Sequence, residues 1–117
     1  MAEAALFISW GQPVRGREKR ASRQMRESVQ YWERLQEEGQ IERFDWAALS
    51  GQGDLWGIAL LRGTAEQIDS LRRSEDFGRN ILRVSLVADR VGVVDAMVDE
   101  GAAEGMNVWD EEIGALD

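Results

Sequence analysis

The spacing of apolar positions changes several times along the chain, and each change marks an element. Ala4 to Trp10 (Ala-Ala-Leu-Phe-Ile-Ser-Trp) is a short apolar run closed by Gly11 and Pro13. A run of this length and composition, bounded by Gly and Pro, predicts a buried strand, and Pro13, which has no amide to donate, ends it. From Gly16 to Gly39 the period becomes helical. Ala21, Met25, Val29, Trp32 and Leu35 recur at steps of four, four, three and three, forming one stripe among Arg, Lys, Glu, Gln and Ser, with Gly39 placed as a C′ glycine. Ile41 to Leu49 alternates, with Phe44 and Trp46 on one face and Ile41, Ala47 and Leu49 on the other. Ser50 to Asp54 is turn-rich, and Leu55 to Arg62 is a second apolar strand carrying Trp56, so the two form an antiparallel hairpin.

Thr64-Ala-Glu-Gln67 matches the capping box, in which side chains at both ends of the first turn bond each other's amides. Ile68 and Leu71 continue that helix, and Ser74 caps a second piece running through Phe77, Ile81 and Leu82. Residues 84–88 read equally as helix or strand, because β-branched side chains suit both contexts there. Val91 to Val98 is the fourth strand. Gly101 to Ala115 is rich in Ala and acids, with Met106, Trp109 and Ile113 at steps of three and four; it predicts a short helix docked through Trp109. The absence of a Pro/Ser linker, a repeat or a low-complexity tract predicts one domain over 1–117.

The order β-α-β-β-α-β predicts an α+β fold of the ferredoxin-like type, a four-stranded antiparallel sheet with helices on one face. The strands carry apolar residues in both phases, Phe7 beside Ile8 and Ile58 beside Ala59. Two helices cover one side of such a sheet, and a second subunit is the simplest cover for the other. The chain therefore resembles the dimeric α/β-barrel superfamily, in which two such sheets pack face to face. Phe7-Ile-Ser-Trp-Gly-Gln-Pro-Val-Arg-Gly-Arg-Glu18 and Val91-Gly-Val-Val-Asp95 resemble an uncharacterised bacterial group within it. The superfamily includes cofactor-independent quinone-forming monooxygenases, haem-degrading monooxygenases, muconolactone-isomerase-like enzymes and stress-responsive proteins. Its haem-holding and acid-base members rely on His. This sequence has no His, so those activities do not transfer with the resemblance.

Composition narrows the chemistry further. Without Cys or His there is no disulfide framework, thiolate nucleophile or imidazole base. A protein-held zinc, copper or haem site is also not expected, and neither is any cofactor. The net charge of −8 opposes binding to nucleic acid or to an anionic membrane. No leader peptide is expected, because Ala4 to Trp10 lacks a preceding positive region and is too short, and the expected location is the cytoplasm. The charge is uneven. Arg15 to Arg26 holds six basic residues against Glu18 alone, while Asp95 to Asp117 holds eight acids and no base.

Several groups of residues compete for a functional role. Trp10, Trp46 and Trp56 either line a flat aromatic pocket or fill the core and the dimer interface. Arg15 and Arg17 sit near a helix start, where an anion is favoured, or else belong to a solvated face with pairs such as Arg23 and Glu27. Asp45 and Asp95 lie in predicted strands and are either buried bases or partners of arginines such as Arg43 or Arg62. Tyr31 is expected at a helix surface or rim. Gly51-Gln52-Gly53 is a turn and not a phosphate loop, because it joins two strands and lacks the Lys and Ser/Thr of a P-loop. The sequence thus predicts a homodimer joined through the open sheet face, with a small apolar or anionic ligand held near Trp10, Arg15, Arg17, Trp46 and Trp56. The alternative is a cofactor-independent, monooxygenase-like enzyme acting on a small aromatic substrate, which needs a closed pocket of roughly 300 Å3 or more.

Overall fold

The computed structural model describes residues 3–51 and 53–116; the middle of the expected Gly51-Gln52-Gly53 turn lies outside them. In chain order the elements are β1 (Ala4–Trp10), α1 (Glu18–Glu37), β2 (Arg43–Ala48), β3 (Gly57–Gly63), α2 (Ala65–Arg73), α3 (Glu75–Ser85), β4 (Gly92–Met97) and α4 (Asp99–Leu116). The strands form one antiparallel sheet in the order β2-β3-β1-β4. With the helices on one face this is the ferredoxin-like arrangement the element order predicts. The sheet of a single chain is open and does not close into a barrel.

Local chemistry sets the boundaries. Gly39 takes φ 75°, and the Gln40 amide bonds back to the Leu35 carbonyl at 2.9 Å, which is the Schellman closure that ends α1. At the start of α2 the Gln67 amide donates to Thr64 Oγ1 (3.1 Å) and Gln67 Oε1 accepts from the Thr64 amide (2.8 Å). Ser74 Oγ accepts from the Phe77 amide at 3.2 Å and caps α3. The ambiguous stretch 84–88 resolves as the end of α3, a turn at Leu86 and Val87, and an isolated bridge from Ala88 to Pro13. Trp56 falls just ahead of β3 and not within it.

Register decides which face each side chain serves. Leu6 lies opposite Leu61 and Ile8 opposite Ala59. These four are buried beneath α1, α2 and α3 with Trp32, Leu35, Ile68, Leu71 and Phe77. Ile41 joins this core. Its expected place on the opposite strand face is wrong because it precedes β2, with its amide near the Leu35 carbonyl (3.4 Å) in the turn that ends α1. Tyr31 is buried, not a rim residue, because α3 packs on the flank of α1. Three helices, not two, cover this side.

The other face carries Phe7, Ile58 and Leu60, all partly exposed, and Val94, which is 58% exposed. A small cluster of Ala5 and Val98 with Leu60 and Ala96 covers one end of it, where Arg62 pairs with Asp45 (3.3 Å) and Asp99 (3.7 Å). The sheet is thus apolar on both sides. The expected docking of the last helix through Trp109 does not occur. No residue of α4 is buried and Trp109 is 62% exposed, since α4 leaves β4 through Asp99 at φ 48° and extends past the sheet. No described helix is long and apolar enough to cross a membrane.

Candidate functional site

Trp10, the last residue of β1, lies opposite Gly57 in the ladder. Its indole rests on the bare backbone of that glycine, so close that a Cβ built there would stand 2.2 Å from Trp10 Cζ2. Trp32 of α1 sits beside Trp10 with ring centroids 6.4 Å apart and planes tilted by 37°, and Phe44 meets the far edge of Trp32 at 6.0 Å. Trp56 is tied to the end of β1 by its amide, which donates to the Trp10 carbonyl at 2.8 Å. Trp10, Trp32 and Trp56, with Met25, Ile81 and Val84, wall a hollow of about 220 Å3 between the sheet and the pair α1 and α3. Exposed Glu18, Ser22 and Trp56 mark its rim.

A polar cluster forms part of the same wall. Gln24, Ser28 and Asn80 are buried, and both amides donate to Ser28 Oγ, Gln24 Nε2 at 3.3 Å and Asn80 Nδ2 at 3.1 Å. Asn80 Oδ1 and Trp32 Nε1 are buried without a hydrogen-bond partner. Buried polar atoms are nearly always satisfied; these two belong to residues that line the hollow but are themselves shielded from it.

The structure brings together some of the sequence candidates and separates the rest. Trp10 and Trp56 share the hollow. Trp46 lies on the edge strand β2, 45% exposed and off the wall. Arg15 is exposed and off the wall. Arg17 donates to the Leu86 carbonyl, tying the start of α1 to the end of α3, and also does not line the hollow. Among the described residues Glu18 is the one ionisable side chain on the wall. Asp45 and Asp95 are largely exposed and paired with Arg62 and Arg72 (3.3 and 3.1 Å), which is the ion-pair alternative. The Arg23–Glu27 pair does not form among the described residues. Tyr31 is set apart from the hollow, and burial pushes its phenol upward; the neighbouring Ser74 hydroxyl pulls the other way, short of a well-formed hydrogen bond. Trp32, Gln24, Ser28 and Asn80 were not singled out by sequence reasoning. The signal was present in part: Gln24, Ser28, Trp32 and Leu35 follow at steps of four, four and three, which places two polar residues in phase with the core tryptophan.

No family model and no curated protein matches the chain. Among solved structures, a dimeric protein of unknown function with a ferredoxin-like fold from Bacteroides fragilis superposes with a TM-score of 0.59 at 12% identity, over 81% of this chain and 96% of that one. A hydroxynitrile lyase from Passiflora edulis superposes with a TM-score of 0.62 at 9% identity, over 84% of this chain and 95% of that one. At such identities the likeness establishes the ferredoxin-like fold and leaves the chemistry open.

Proposed function

We propose that this protein is a homodimer that holds a small, neutral, mostly apolar molecule between its sheet and the helices α1 and α3. The observation that carries this reading is the cavity of about 220 Å3 walled by three indoles, with Gln24, Ser28 and Asn80 as its polar part. The aromatic wall favours a flat apolar body. Gln24, Ser28 and Asn80 on the same wall favour an occupant with one polar group, such as a hydroxyl or a primary amide. With Glu18 as the wall's sole charge, the anionic ligand expected from Arg15 and Arg17 is not supported. The cavity falls below the roughly 300 Å3 set for a bound aromatic substrate, which restricts the occupant to a single ring or its equivalent.

The dimer is supported by the apolar open face around Phe7, Ile58, Leu60 and Val94 and by the structural likeness to a dimeric protein. Exposed apolar surface of this kind marks association, and sheet-on-sheet pairing buries it. A cytoplasmic setting is part of the same reading. The enzymatic alternative has only Glu18 as an acid-base group on the wall. Tryptophan fluorescence with benzamide, phenol and toluene as probes tests the binding claim. Benzamide and phenol are expected to change the emission saturably in the millimolar range and toluene more weakly; no saturable response to any of them removes the reading. Val94→Asp, placed on the open face, is expected to lower the mass measured by light scattering, and an unchanged mass removes the sheet-face pairing.

A further inference from the structure

Beyond its first turns, the longest helix after α1 is covered by nothing among the described residues. Among its apolar positions Ala102, Met106, Trp109, Ile113 and Leu116 recur at steps of four, three, four and three, the spacing of a helical seam that seats on a partner. From Met106 onward these side chains are exposed, Leu116 by 87%. Among the described residues the partly buried positions of α4 lie in its first turns, where Gly101 stands against the Glu3 backbone and Gly105 against Met97. A helix of 18 residues with three internal glycines and no basic residue gains little from intrinsic propensity or charge pairing, so packing must supply most of its stability. Asp110 and Glu112 flank the seam, and α4 carries no base. Two such helices laid together would set acid against acid.

The complementary surface lies elsewhere on the same chain. A groove of about 260 Å3 between the start of α1 and the end of α3 is lined by Arg20, Arg23 and Arg83 against the single acid Glu27, with Gln24, Val87 and Leu86, the last 55% exposed. Among the described residues none of these three arginines has an ion-pair partner. The acids that flank the seam match a groove whose lining is net positive, with Leu86 and Val87 as its apolar part. Within its own chain α4 does not occupy this groove: no residue of α4 lines it, and its seam from Met106 onward is exposed. The groove lies at the Trp10 end of the sheet, whereas β4 ends beside Ala4, about 20 Å away along β1, and α4 follows β4 without a linker. The helix spans about 27 Å, enough to reach an adjoining molecule.

We propose that α4 is an arm that seats on a second copy of this chain, in the groove formed by Arg20, Arg23, Arg83 and Leu86. Reciprocal exchange about a two-fold axis satisfies both arms at once and closes the assembly. The interaction is separate from sheet-face pairing and holds with or without it.

The chain has no Cys, which makes thiol cross-linking selective. Ile113→Cys and Leu86→Cys are prepared as separate proteins, checked for native circular dichroism, mixed and treated with a short bis-maleimide. A cross-linked heterodimer on a denaturing gel is the expected result. Its yield falls on the order of tenfold when Arg20→Glu and Arg23→Glu are added to the Leu86→Cys protein, and recovers when Asp110→Lys and Glu112→Lys are added to the other, because the charge pairs are then restored with opposite sign. Absence of the heterodimer band, or Ile113→Cys protein cross-linking only to itself, overturns the arm-in-groove assignment. The same mixture carrying Val94→Asp separates the two interfaces: loss of mass with the cross-link retained speaks against sheet pairing being needed for the arm, and loss of the cross-link as well overturns their independence.

Discussion

Gly57→Ala is the most informative small change in this molecule, since it adds one methyl at the point where strand register and the cavity meet. The added Cβ would stand 2.2 Å from Trp10 Cζ2, 2.3 Å from Cε2 and 2.6 Å from Nε1. Ordinary carbon contacts lie near 3.5–4.0 Å, so the indole must retreat by roughly 1.5 Å. Behind it are the hollow and Trp32, whose ring centroid is 6.4 Å from that of Trp10. The ring moves either into the cavity or against its neighbour. Overpacking of a core costs about 1–3 kcal/mol, the lower figure applying if the cavity takes up the shift. At roughly 4 °C per kcal/mol for a domain of this size, thermal unfolding followed by circular dichroism is expected to drop by about 4–12 °C. The near-ultraviolet spectrum changes with it, and the benzamide response weakens because the pocket wall has moved. A variant that melts within about 2 °C of the parent and binds benzamide as before would refute the argument that Gly57 exists to make room for Trp10.

Three further changes probe the helices. Ser28→Ala removes the oxygen that accepts from both Gln24 and Asn80, and stranding two buried amides is expected to cost about 1–3 kcal/mol, read as a lower midpoint in urea. Gly78→Ala fills open space on α3 and is expected to stabilise by about 0.5–1 kcal/mol through helix propensity; a lower melting temperature would contradict the open geometry. For Tyr31, burial raises the phenol above its usual 10.0. Above pH 10 the unfolded chain releases this proton while the folded chain keeps it, so stability falls as pH rises toward the folded value and is unaffected below that window. Tyr31→Phe is expected to melt within about 1 kcal/mol of the parent at pH 7, since the lost hydroxyl has no partner, and to lose less stability than the parent between pH 10 and 11.

Local rules made most of the fold readable. The α1 stripe, the Thr64 capping box, the Ser74 cap and the strand-ending Pro13 act within a few residues, and each appears where the pattern places it. Errors arose where distant packing decides. Tyr31 looks like a helix-surface residue until α3 is laid on that flank. Ile41 looks like part of a strand until the chain turns back on Leu35. Trp109 sits on a convincing seam, which suggested docking, but periodicity does not reveal which molecule the seam docks against. The cavity was legible only through Trp10 and Trp56. Trp46 shares their residue type but lies on the outer strand, and Asn80 reaches Ser28 across 52 positions of sequence, a separation that no spacing rule covers.

The strand order has a further consequence for how the chain reaches this state. β1 is made first yet occupies an inner place in the sheet, and its two neighbours are β3 and β4, so it waits for residues up to Met97 before both edges are filled. Such pairings across long loops slow folding. In the meantime a greasy ribbon with unsatisfied amides stays open to capture by other nascent chains. Chains halted before Gly92 should therefore aggregate, and slow emergence of β4 should raise the demand for chaperones.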